Sequence, residues 1–134
     1  MTVKRITILL AALLVLPGCG MIAHEFDEGV THPVYSPWAA EQTATLSAQW
    51  GTAPDLETRF LDIGPQGDRF GWYGPSGITV VLRDRDGSAR HACNVRNVWR
   101  HEWLHHLEGT IRLDDHETEY RGKLIAMGLW ESCP

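Results

Sequence analysis

Five consecutive residues, His101-Glu102-Trp103-Leu104-His105, carry the strongest chemical signal in this 134-residue chain. The two histidines are four positions apart. On an α-helix that spacing puts both imidazoles on one face, one turn apart, within reach of a single ion held about 2.0–2.1 Å from each nitrogen. Glu102 between them projects beside such an ion rather than onto it, where its carboxylate can accept a proton from water acidified by the metal. The pattern points to a metal centre with a neighbouring general base, which is the apparatus of metal-assisted hydrolysis. The same residues also suit an amphipathic helix with surface histidines and with Trp99 and Trp103 packed in a core.

A helix must hold the motif, and Val95 to Leu107 has that character, with Asn94 or Asn97 as N-cap and Gly109 as the stop. Residues 110–115 then turn the chain back. Asp114 or Asp115 can cap a second helix from about His116 to Leu129, with Tyr120, Leu124 and Met127 along one face. A catalytic zinc needs a third protein ligand and an open position. The expected third ligand is His116, eleven residues beyond His105 and in the first turn of the second helix. Asp114 and Asp115 are the alternatives, or could orient a ligand ring from behind. An exposed histidine in an acidic cap is the plainer reading of His116.

Upstream, Ala39 to Trp50 is rich in helix formers and is followed by Gly51, which predicts a short helix. Leu56 to Ile63 reads as a strand, and Gly64 to Gly77, with five Gly and two Pro, as a loop. Ile78 to Leu82 is the clearest strand. Asp84-Arg85-Asp86-Gly87 then turns the chain into a returning strand, Ser88 to Cys93. The same Asp-x-Asp-Gly could open a calcium loop, but Asn94-Val95 supply no closing Glu. The predicted fold class is α+β, a short sheet on the motif helix and a C-terminal helix. His106 points to another helical face, and His24, His32 and His91 read as structural or solvent-facing.

The flanks of the motif add a resemblance. Val98-Trp99-Arg100-His101-Glu102-Trp103-Leu104-His105-His106-Leu107 is similar to the extended signature of the zincin superfamily of zinc metallopeptidases. It carries Val98 three residues before the first His, the uncharged residues Trp99, Trp103, Leu104 and His106 around the ligands, and hydrophobic Leu107 two after the second His. That resemblance implies Zn2+ as cofactor, peptide-bond hydrolysis of a peptide or protein substrate, Glu102 as the catalytic base, and a substrate lying extended beside a strand, either Ile78 to Leu82 or Ser88 to Ala92. It also makes Tyr120 a candidate oxyanion donor. The chain departs from the known subgroups downstream, with Glu108 and Ile111 where one expects Gly and His. A Glu ligand on a later helix, as in another subgroup, would be Glu117, Glu119 or Glu131.

Residues 1–18 read as a signal peptide, with basic Lys4 and Arg5 and an apolar run from Ile6 to Leu16 too short to span a bilayer. Leu16-Pro17-Gly18-Cys19 resembles a bacterial lipobox, which makes Cys19 the lipidated residue and residues 19–37 a lipidated tether ahead of a domain at 38–134. Gly20 after the Cys implies, by resemblance to lipoproteins, the periplasmic face of the outer membrane. The formal charge of −5 becomes −7 without Lys4 and Arg5, 10 basic against 17 acidic residues. An acidic body repels nucleic acid and anionic lipid, so membrane attachment rests on the acyl chains. Cys93 and Cys133 remain as an even pair in an oxidising compartment, and the expected disulfide closes a loop of about 40 residues, contributing roughly 4 kcal/mol. The expected function is an envelope-anchored zinc metallopeptidase. Its rivals are a non-catalytic envelope lipoprotein with structural zinc and a metal-free interaction module.

Overall fold

The computed structural model describes residues 31–134, an α+β arrangement of three helices and one three-stranded sheet. The expected signal peptide, Cys19, His24 and the expected tether as far as residue 30 lie outside the described residues. Among the described residues no helix is long and apolar enough to cross a membrane.

Helix α1 spans Tyr35–Trp50, so it starts within the stretch read as tether. His32 permits the early start, since its Nδ1 accepts the N–H of Val34 and of Tyr35 at 3.1 Å each. Pro37 falls in the first turn, where its missing N–H costs nothing. Gly51 ends the helix at φ 73°, its N–H donating to the Ser47 carbonyl.

The sheet comprises β1 (Thr58–Leu61), β2 (Gly71–Gly74) and β3 (Gly77–Val81), in the order β1-β3-β2, with β1 parallel and β2 antiparallel to β3. Two expectations are corrected here. The segment Gly64 to Gly77, read as loop, contains β2, which forms a hairpin with β3. Gly77 is required there, because at φ 105° a Cβ would lie 2.1 Å from the Glu57 carbonyl oxygen. Conversely, Ser88 to Cys93 is not a strand. Only an isolated bridge joins Arg83 and Ala89, and the chain then enters helix α2, Ala92–Glu108. His91, rather than Asn94 or Asn97, caps α2, its ring accepting the N–H of Cys93 at 3.2 Å.

Three faces of α2 organise the molecule. Val95, Trp99 and Trp103, each fully buried, meet Phe60, Ile78 and Val80 of the sheet and Ala39 and Leu46 of α1. Leu104 meets Tyr120 and Leu124 of helix α3, Glu117–Ala126. The third face, bearing Val98, His101, Glu102 and His105, fronts a cleft beside β2. Gly109 ends α2 at φ 67°, as its position in the sequence predicts. The C-terminal tail returns across α2, held by the Cys93–Cys133 disulfide, by Arg96 clasping Glu131 at 2.6 and 2.7 Å, and by Asn97, which exchanges two hydrogen bonds with the Glu131 main chain.

Candidate metal centre

His101 and His105 project from one face of α2, and His116 comes from the residue that precedes α3. Their ring nitrogens converge. His116 Nε2 lies 3.1 Å from His101 Nε2 and 2.9 Å from His105 Nε2, and the ligating atoms of all three fall within 4.8 Å of one another.

The outer nitrogens settle which atoms face the centre. A carbonyl oxygen only accepts, so His105 Nδ1 donates to the Thr110 carbonyl at 3.0 Å and His116 Nδ1 donates to the Asp114 carbonyl at 2.7 Å. In the neutral rings both inward Nε2 atoms therefore carry lone pairs. Two lone pairs 2.9 Å apart repel, and a cation between them reverses the sign of that interaction. Three nitrogens 2.0–2.1 Å from one tetrahedral ion lie about 3.3 Å apart, close to the separations present. The donor set therefore fits a metal ion, and neutral imidazoles suit a borderline cation such as zinc. Burial, followed by mutual repulsion with His105 and His116, pulls the His101 pKa down to about 4. Burial also lowers that of His105. Both rings stay in the ligating, uncharged form near neutral pH.

Glu102 is 7% exposed, with Oε2 3.9 Å from His105 Nε2, and its carboxylate makes no hydrogen bond among the described residues. Burial pushes its carboxyl up to about 8. The close fit of β2 keeps it so. A Cβ on Gly71 would meet Val98 Cγ1 at 2.6 Å and Glu102 Cγ at 3.4 Å, so the glycine lets the strand lie against this part of α2.

Tyr120 is fully buried, and its ring centroid lies 5.0, 4.7 and 4.6 Å from those of His101, His105 and His116. It forms a floor beneath the three imidazoles. Its hydroxyl donates to Glu108 and sits 3.3 Å from His105 Nδ1, the nitrogen turned away from the centre. That is not where an oxyanion donor must stand. Of the alternative ligands, Glu117 lines the cleft with the histidines, and the others are engaged elsewhere. Asp114 and Glu119 both pair with Arg112, Asp115 accepts the Glu117 N–H at 3.4 Å, and Glu131 belongs to the tail clasp. Asp114 contributes through its carbonyl instead, fixing the His116 ring. His106 faces Tyr73, Nδ1 to Oη at 3.3 Å, away from the triad.

The cleft above the triad measures about 430 Å³ and is lined by His101, Glu102, His105 and His116 together with β2. Sequence reasoning placed the edge strand at Ile78 to Leu82 or Ser88 to Ala92. The first is central in the sheet and the second is no strand, and of the two edge strands it is β2 that lines the cleft. The Val81 N–H donates to the Phe70 carbonyl, and antiparallel alternation then turns the main-chain groups of Gly71 and Tyr73 outward. The alternating aromatics Phe70 and Trp72 were the signal for this strand. Arg69 and Arg90, which also line the cleft, had no signal in the sequence. No family model, curated protein or solved structure matches the chain.

Proposed function

We propose that the chain is a zinc-dependent peptide hydrolase of zincin type, anchored to the bacterial envelope through Cys19. The convergence of three imidazole nitrogens with Glu102 alongside, in one cleft, carries the reading. His101, His105 and His116 would hold the ion, and the carbonyls of Thr110 and Asp114 would keep two of those rings turned toward it. When bound, zinc supplies Lewis acidity, polarising a carbonyl and acidifying water. Glu102 takes the proton from the attacking water and returns it to the leaving amine. Burial raises the Glu102 carboxyl, and the charge of a bound cation would lower it again, leaving the carboxylate free to accept the proton. The outward N–H and C=O groups of Gly71 and Tyr73 offer an extended substrate two sites for main-chain hydrogen bonds.

Replacing the base tests this. Glu102→Gln is expected to lower kcat by about 10²–10⁴-fold while zinc content stays at the wild-type level. Turnover of a peptide substrate by that variant at the wild-type rate would refute the mechanism.

A further inference from the structure

The far end of the cleft holds a buried cation that the chemistry above leaves unused. Arg90 lines the cleft, its side chain is 8% exposed, and its guanidinium lies 4.1 Å over the Phe70 ring. Nε and Nη1 are buried without a hydrogen-bond partner. The one carboxylate near it among the described residues is Asp84, with Oδ1 3.4 Å from Nε, itself half exposed to solvent. Burying a guanidinium with unmet donors is unfavourable unless an acceptor arrives. The N-terminus of the 17-residue helix α2 lies two residues further on and adds its own positive potential.

We infer that Arg90, stacked on Phe70, binds a carboxylate of the substrate, so the cleft selects acidic peptides or a free C-terminus. The inference rests on the hydrolase reading for the identity of the bound molecule as substrate. Arg90 is already half offset by Asp84, which at this point of the cleft suits a monoanion better than a phosphate dianion or a polyanion.

The probes are labelled alanine heptapeptides carrying one Glu or one Gln at each position in turn, and an all-alanine peptide with a free or amidated C-terminus. Anisotropy is read on the full zinc-loaded chain carrying Glu102→Gln, so that nothing is cleaved. A carboxylate in one position, side chain or terminus, is expected to tighten binding about tenfold over its neutral partner, and the pair compared identifies which. Arg90→Gln is expected to erase the difference. Asp84→Asn removes the competing carboxylate and is expected to enlarge it severalfold, an outcome that a purely structural Arg90 would not give and that needs no folded Arg90 variant. Equal binding of charged and neutral peptides, a preference surviving Arg90→Gln, or no change with Asp84→Asn would overturn the inference. Turnover by the Glu102-intact protein without a carboxylate preference sinks this subsite alone. A preference without any turnover sinks the hydrolase reading and keeps the subsite.

Discussion

Tyr120 touches three imidazoles with its ring and Glu108 with its hydroxyl, so the two parts of one side chain have separable roles. Tyr120→Phe keeps the floor and loses the bond. Stability is expected to fall by about 1 kcal/mol, with zinc content unchanged and kcat within about threefold of wild type. A loss of 10²-fold or more in kcat at full zinc occupancy would instead identify the hydroxyl as an oxyanion donor. The convergence of the three histidines was legible in the sequence because its logic is local. Spacing of four fixes His101 and His105 on one helical face, and a turn of six residues after the helix stop returns His116 to them. The oxygen atoms that aim the rings were not legible, because the Thr110 and Asp114 carbonyls belong to the backbone and every residue has one. Arg90 was equally hidden, since its burial depends on Phe70, which a different strand delivers.

Elements with strong punctuation were read correctly and weakly punctuated ones were not. Gly51 and Gly109 both end their helices in the left-handed conformation. The run Ile78 to Leu82 corresponds to β3 with one residue of offset. By contrast, five glycines and two prolines concealed β2, whose stability comes from pairing with β3 and lying on α2 rather than from its own propensity. The Asp86-Gly87 turn promised a returning strand, yet the cap offered by His91 starts α2 before pairing can extend. The tail's attachment to α2 yields a pH dependence. Hydrogen bonds from Arg96, reinforced by Arg100, pull Glu131 down to about 2, against an ordinary value of 4.5. Between those values the folded chain binds fewer protons than the unfolded one. The stabilisation is therefore complete above about pH 4.5 and lost as pH falls toward 2. With Glu131 partly exposed, it amounts to roughly 1 kcal/mol after solvent screening. Urea unfolding between pH 5 and 2.5 is expected to show a shallower loss of stability in Glu131→Gln than in wild type, and parallel curves would contradict the clasp.

At the scale of the described residues, the Cys93–Cys133 disulfide and a core around Trp99 and Trp103 support a cleft of modest volume. The leader and lipobox-like segment propose where that cleft works. Cys19→Ser is expected to move the protein from the membrane fraction to the soluble fraction without altering its zinc content, and a wild-type chain that is already soluble with an unmodified Cys19 would remove the anchor. The α+β class could be read from the order of predicted elements, whereas the mixed sheet depends on long-range pairing of β1 with β3 across the β2 insertion. The central claim is a metal ion held by three histidines. X-ray absorption at the zinc edge, combined with elemental analysis of protein purified without chelators, tests it directly. The expected result is one zinc per chain with three imidazole nitrogens at about 2.0–2.1 Å, and loss of that signal in His116→Ala. Zinc well below one per chain, or a coordination shell unchanged in His116→Ala, would contradict it.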